Sequence, residues 1–323
     1  MLSSLLLALF LIQEPTGAAA EHATAEHAEK FNPGKEIIEH VSNSPHENAL
    51  FPLPKIAGID FSVTKHVFML WLVAIILAVS VILAVRRYLK QDRLVPSGFM
   101  NALEFFVEYV RDNIVQPNVG KKWVNTWTPL IMTFFVFILS ANAIGLIPIF
   151  EAIELLNRSV FHFGPDTFVG KLIHGGTTAT GNFNVTAALA AITFMAIIVA
   201  GTKAHGFVKH WMNIVPPGLN PVIYVILIPI EVLGMFVRPF ALTMRLAANM
   251  TGGHIAILTI LSFVFIFTEI FGRAVAGFGV GLAVSVPLAV GISLLEMIVV
   301  LVQAYVFTLL SAVFIGMAIH AHH

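Results

Sequence analysis

The sequence has little charge and no cysteine. Only 11% of its 323 residues are charged and 58% are hydrophobic, whereas a soluble domain carries about 25% charged residues. A chain with so few charges has too little polar surface to stay soluble, so lipid must cover much of it. The absence of cysteine excludes disulfides, thiolate metal sites and thiol catalysis.

Other functional signatures are also missing. The sequence has no G-x-x-x-x-G-K-[ST] loop, the signature of a P-loop nucleotide site. Lysine plus arginine and aspartate plus glutamate number 18 each, so net charge gives no reason to expect a nucleic-acid partner. The histidines near the N-terminus match no metal-ligand spacing. We therefore predict no cofactor, no metal and no nucleic acid.

The first 60 residues combine a short apolar run with a polar tail. The run from Leu5 to Ile12 is followed by small residues, as in a secretory signal, so we predict a cleaved signal peptide over residues 1–20. An uncleaved apolar tail is the alternative. Residues 21–60 are polar and contain several prolines, which predicts an exposed tail.

Long apolar runs predict an all-α, polytopic membrane domain over residues 61–323. A bilayer crossing takes ~20 apolar residues, and the runs cover about 66–85, 128–150, 185–202, 222–271 and 284–319. The last two exceed a single crossing, so we predict a long, tilted C-terminal helical hairpin. A break at Gly252–Gly253, giving two shorter spans, is the alternative.

The basic residues predict the orientation. Arg86 and Arg87 follow the first span, and Lys203 and Lys209 follow the third. Because the cytoplasmic ends of spans are enriched in lysine and arginine, these ends are predicted to be cytoplasmic. The N-terminus would then lie outside and the C-terminus inside.

Residues 97–116 predict an amphipathic helix at the cytoplasmic interface. Its charged residues lie away from one apolar face. That face comprises Phe99, Leu103, Phe106, Val110 and Ile114. We expect Pro117 and Gly120 to end the helix.

Ionisable side chains within the predicted hairpin are the first candidates for function, since such residues are costly in a membrane. They are Glu231, Arg238, Arg245, His254 and Glu296, with the polar residues Asn249 and Gln303 nearby. Arginine stays protonated in proteins, so Arg245 cannot avoid a cost of at least ~2.5–3.5 kcal/mol by losing its proton. A facing carboxylate or a water-filled cleft would offset that cost.

Helical periodicity places mostly small or polar residues on the face of Arg245. They are Arg238, Ala241, Ala248, Asn249 and Gly252, together with Leu242. Small residues allow a second surface to approach closely. The alternative is static packing within this chain, with Arg245 in a structural ion pair.

Glu296 and Gln303 share a face of the last helix because they are seven residues apart. Glu296 has three possible partners, namely Arg238, Arg245 and His254. A Glu–His pair suits proton relay because both groups can titrate near neutral pH when perturbed. A static salt bridge, or a histidine that is simply hydrogen-bonded, is the alternative.

Several motifs in one order resemble subunit a of the rotary ATP synthase. They are RPFALTMRLAANMTGGH from Arg238, EMIVVLVQAYVF from Glu296, WTPLI from Trp127, NAIGLIP from Asn142 and NFNVTAALA from Asn182. The resemblance covers about residues 60–320. It implies a non-catalytic, proton-translocating subunit, with ATP chemistry on partner chains.

The resemblance also implies roles for single residues. Arg245 would meet the c-ring carboxylate and separate two aqueous half-channels, with Asn249 and Gln303 beside that route. His254 and Glu296 would line a half-channel, and many relatives carry these two residue types exchanged. Arg238 and Glu231 would be supporting residues.

At the outer entrance, Asn182 departs from the aspartate of many members, whereas Asn184 matches as it stands. The implied partners are the c-ring, the peripheral-stalk subunit b, other ATP synthase subunits and membrane lipid. The implied location is the inner membrane of a bacterium. The rival functions are a self-contained ion-coupled secondary transporter and a structural assembly subunit.

Overall fold

The computed structural model describes residues 62–90, 95, 97–146, 157, 167, 178–212, 221–271 and 275–320. The predicted signal peptide and the polar tail to residue 60 lie outside these residues. Nearly all of the described chain is helical. Its helices are α1 Lys65–Leu89, α2 Phe99–Tyr109, α3 Gln116–Val119, α4 Val124–Leu146, α5 Phe183–His205, α6 Phe207–Met212, α7 Pro221–Phe271 and α8 Val275–Ile319.

Five of the described helices are long and apolar enough to cross a membrane. They are α1, α4, α5, residues Val222–Val264 of α7 and residues Gly281–Ile319 of α8. This confirms the predicted all-α class, with five candidate spans and a long C-terminal pair. Helix α7 continues through Gly252 and Gly253, so the alternative of a break there is wrong.

The helices α1, α4 and α5 begin one to four residues before the predicted spans. Polar residues such as Asn125 and Lys203 form their first or last turns. Hydropathy marks only the apolar part of a helix, whereas backbone hydrogen bonding continues into the polar turns at its ends.

The amphipathic segment does not end at Pro117, as the sequence predicted. A π-helical turn, Val110–Val115, joins α2 to α3, and Pro117 lies in the first turn of α3. A proline is tolerated in a first turn because the N–H it lacks has little to bond there. Gly120, with φ of 79°, ends the segment as predicted.

The burial of the apolar face of this segment changes along its length. Val110 and Ile114 are fully buried, but Phe99 and Phe106 are exposed. The rings of Phe105 and Tyr109 stack at 6.2 Å, and both side chains are also exposed. The segment therefore buries its C-terminal part and leaves an aromatic surface outward on α2, which is suited to a membrane interface.

One compact unit comprises Trp71–Asn142, Thr180–Ala248 and Val300–His323. Within it, α4 and α8 meet at Phe134 and Phe307, whose ring centroids are 5.5 Å apart. Helices α5 and α8 meet where the hydroxyls of Thr193 and Ser311 lie 3.2 Å apart.

The described residues of the second compact unit are 62–70, 143–146, 157, 167, 178–179, 249–271 and 275–299. Its described core contains parts of α7 and α8 in close contact. The buried core residues are Ile260, Leu261 and Ala289. A Cβ at Gly281 would lie 3.0 Å from Val264 Cα, so glycine is what allows this close helix approach.

Candidate functional site

Arg245 points away from the packed side of α7. Its side chain is exposed, as are those of Ala241, Met244 and Ala248. The opposite side of the same turns is buried and apolar, with Leu242, Leu246, Ala247 and Met250. The burial pattern therefore places the guanidinium on an outward surface with two alanines and Met244.

This arrangement changes two expectations. Leu242 was assigned to the Arg245 face but is buried, and Met244 is exposed beside Arg245 instead. No side chain in the described part of the chain forms a salt bridge or hydrogen bond with Arg245. The alternative of an internal structural ion pair therefore has no support among the described residues.

The other polar residues of the hairpin have different surroundings. Arg238 is half-buried, with its guanidinium 5.8 Å from the centre of the Phe314 ring, a cation–π geometry. Glu231 is half-buried, Gln303 is buried and Asn249 is exposed.

Glu296 and His254 form the ionisable pair of the second compact unit. His254 Nδ1 lies 3.0 Å from Glu296 Oε1. The Glu296 side chain is only 3% exposed, while that of His254 is 23% exposed. The other carboxylate oxygen, Oε2, is buried and has no hydrogen-bond partner among the described residues. Of the three partners considered for Glu296, the structure therefore shows His254.

Gly253 makes the pair possible. A Cβ at this position would lie 2.6 Å from Glu296 Oε1 and 3.0 Å from its Cδ. Contacts this short exclude a methyl group unless the carboxylate moves. Because Gly253 of α7 has no side chain, the carboxylate of Glu296 on α8 can approach α7 closely enough to contact His254.

Thr178 is a neighbour that the sequence analysis missed. Its hydroxyl lies 3.4 Å from His254 Nε2, on the opposite side of the imidazole from Glu296. Thr178 is buried and immediately precedes a 3₁₀ turn, Ala179–Gly181. Neither hydropathy nor helical periodicity marks a threonine in a polar stretch of sequence, so the sequence carried no signal for it.

Asn182 has a structural task at the start of α5. It is the N-cap residue, and its Oδ1 accepts a hydrogen bond of 2.8 Å from the Asn184 backbone N–H. Aspartate caps helices about as well as asparagine, so this position tolerates either residue. Asn184 itself is exposed.

A second buried polar contact joins α4 to the turn before α5. The Thr180 hydroxyl donates to Asn142 Oδ1, and both side chains are fully buried. Asn142 Nδ2 has no partner among the described residues. In the sequence, Asn142 is the first residue of the NAIGLIP motif.

No group of three or more metal-ligating side chains occurs among the described residues. The described ionisable groups include an exposed cation, Arg245, in the first compact unit and a Glu–His pair in the second unit. Such groups can hold a fixed charge and exchange protons.

The family ATP synthase A chain matches residues 67–316. The chain belongs to this family. The match extends from the start of α1 nearly to the end of α8, so it includes Arg245, His254 and Glu296.

Curated members of the ATP synthase A chain family align over most of their lengths. ATP synthase subunit a of Chlorobium phaeobacteroides (strain DSM 266) is 36% identical over 319 residues, which are 96% of this chain and 81% of the relative. The protein of that name from Pelodictyon phaeoclathratiforme is 37% identical, covering 95% and 82%. That from Chloroherpeton thalassium is 36% identical, covering 100% and 92%.

Proposed function

We propose that this chain is the stationary proton-translocating subunit of a rotary ATP synthase, with Arg245 facing the carboxylates of a c-ring. The observation that carries the proposal is the outward position of Arg245 on an apolar helix, without a partner among the described residues. Family membership supports the same function over that of a self-contained transporter.

The physical argument starts from the charge of Arg245. Its guanidinium does not deprotonate, and in lipid it costs at least ~2.5–3.5 kcal/mol unless another group compensates it. A carboxylate on a partner helix would do so, and the small side chains of Ala241 and Ala248 would let that helix come close.

The same charge would act on the partner. A nearby cation favours the ionised form of a carboxylate, so a c-ring carboxylate arriving at Arg245 would release its proton. The cation would also repel protons and prevent direct leakage between two half-channels. A fixed arginine therefore separates proton release from proton uptake.

The Glu296–His254 pair would belong to one half-channel. The 3.0 Å contact between its carboxylate and imidazole joins two groups that can each bind a proton. Asn249 and Gln303 would be polar neighbours of the route, with Asn182 and Asn184 near its outer entrance. Arg238 and Glu231 would support the hairpin.

The remaining features of the proposal concern location and assembly. The chain would lie in a bacterial inner membrane, with its N-terminus outside and its C-terminus in the cytoplasm, as the basic residues in the last turns of α1 and α5 indicate. Its partners would be the c-ring, peripheral-stalk subunit b and lipid, and ATP chemistry would occur on other subunits.

The substitution Arg245→Ala tests the proposal. We expect an assembled complex that makes no ATP in energised membrane vesicles, because no fixed cation remains to displace the ring proton. Arg245→Lys should be nearly as inactive, since an ammonium group can lose its proton when desolvated.

The control is Arg111→Ala, which removes an exposed arginine that pairs with Asp112 outside the candidate spans. It should keep ATP synthesis close to that of the wild type, because exposed ion pairs contribute little. Normal ATP synthesis by assembled Arg245→Ala would refute the proposed role. Substrate-coupled transport by the chain alone would favour the secondary transporter instead.

A further inference from the structure

Thr178 extends the Glu296–His254 pair by one more group. Glu296 Oε1 lies 3.0 Å from His254 Nδ1, and the Thr178 hydroxyl lies 3.4 Å from Nε2 of the same ring. The three side chains therefore form a series in which each contacts the next through an atom that can hold or accept a proton.

A threonine hydroxyl suits the end of such a series because it is both a donor and an acceptor. When His254 is neutral with its proton on Nδ1, the hydroxyl can donate to Nε2. When the ring carries both protons, the hydroxyl oxygen can accept from Nε2–H. Thr178 can therefore satisfy either state of His254 by rotating one bond.

Two contacts hold Thr178 in place. Its Cγ2 methyl occupies the space where Gly145 would carry a Cβ, so α4 and the Thr178 segment touch directly. Its backbone forms a hydrogen bond with His66, a buried histidine in the first turn of α1. The first contact restricts the side chain of Thr178, and the second restricts its backbone.

We propose that the Thr178 hydroxyl is the proton-relay group next to His254, on the side of the imidazole opposite Glu296. In one transfer, His254 Nε2–H gives its proton to Thr178 Oγ1 while the hydroxyl proton passes to water, which restores the hydroxyl. The reverse sequence delivers a proton to His254 and on to Glu296. This inference rests on the proposed function. It adds Thr178 to the half-channel as the next group after Glu296 and His254.

The test compares Thr178→Val with Thr178→Ser in membrane vesicles that contain the complete ATP synthase. Valine keeps the shape beside Gly145 but lacks the hydroxyl, while serine keeps the hydroxyl. A hydrogen bond to a charged group corresponds to a factor of about 10 to 100, so ATP-driven proton pumping by Thr178→Val should fall by that factor. Thr178→Ser should retain most of the wild-type rate.

The matched control is Thr308→Val. Thr308 is also fully buried, but among the described residues its hydroxyl donates only to the Ala304 carbonyl of its own helix. We expect this variant to pump normally. If Thr178→Val does not assemble, Thr178→Ala, which creates no new contact, replaces it in the comparison.

The possible outcomes separate this inference from the proposed function. Wild-type pumping by assembled Thr178→Val or Thr178→Ala would overturn the inference, provided that Arg245→Ala is inactive in the same assay. An equal loss of pumping in Thr178→Val and Thr178→Ser would also overturn it, since the pumping rate would then not depend on the hydroxyl. Normal pumping by Arg245→Ala would instead mean that the proposed function has failed.

Discussion

Replacing Gly253 with alanine should break the Glu296–His254 pair without touching either side chain. The added Cβ would lie 2.6 Å from Glu296 Oε1, the same oxygen that lies 3.0 Å from His254 Nδ1. Ordinary nonbonded contacts need about 3.5 Å, so the carboxylate must retreat by about 1 Å. The contact with His254 would then exceed hydrogen-bonding distance.

The expected effect follows from two opposing contributions. Losing a hydrogen bond to a charged group costs ~1.5–3 kcal/mol. Alanine favours the helix over glycine by about 1 kcal/mol, which offsets part of that loss. The difference, a net cost of about 0.5–2 kcal/mol, corresponds to a factor of roughly 2 to 30, and we expect proton pumping to slow by that factor.

ATP-driven proton pumping in vesicles, normalised to the amount of assembled complex, measures this effect. The control is Gly291→Ala on α8, where an added Cβ meets nothing within 4 Å. Gly291→Ala should pump at the wild-type rate. Full activity of assembled Gly253→Ala would refute the reasoning that links glycine, carboxylate position and proton transfer.

Two further predictions concern the pair and the α5–α6 junction. Exchanging the pair (His254→Glu with Glu296→His) should reduce pumping less than either single change, because contacting residues are energetically coupled; strictly additive losses would argue against coupling. Burial, with a smaller contribution from His205, lowers the pKa of His210, which packs closely against Gly201. Below about pH 6.5, His210 would bind a proton more readily in the unfolded chain than in the folded one. The free energy of unfolding should therefore fall as pH decreases. Hydrogen-exchange protection of Phe207–Met212 should therefore drop between pH 7.5 and 5.5 in the wild type, and a drop of equal size in His210→Gln would contradict this.

Most of the fold follows from the sequence because lipid imposes simple rules on it. Each crossing needs a long apolar run, so hydropathy predicts the five spans and the unusual length of the last two helices. Hydropathy does not show whether a helix passes through a Gly-Gly pair or a proline. Backbone hydrogen bonding decides this, and it carries α7 past Gly252 and the amphipathic segment past Pro117.

The sequence predicts the site residues that are ionisable and lie within apolar helices. Arg245, His254 and Glu296 are conspicuous because ionisable residues are costly within apolar helices. Thr178 and Gly253 were not predictable, since one lies in a polar stretch of sequence and the other acts through the side chain that it lacks. Their contribution depends on contacts between segments distant in sequence, which periodicity along one helix does not reveal.

The most direct measurement for the central claim is cysteine crosslinking from the Arg245 face to the c-ring. The chain has no cysteine, so each introduced thiol is unique within it. Ala248 is exposed beside Arg245, whereas the adjacent Ala247 is buried. Paired with a cysteine next to the ring carboxylate, Ala248→Cys should form a disulfide with the ring subunit and Ala247→Cys should not. Equal crosslinking from both positions, or none from Ala248→Cys in an assembled complex, would contradict an arginine that faces the ring.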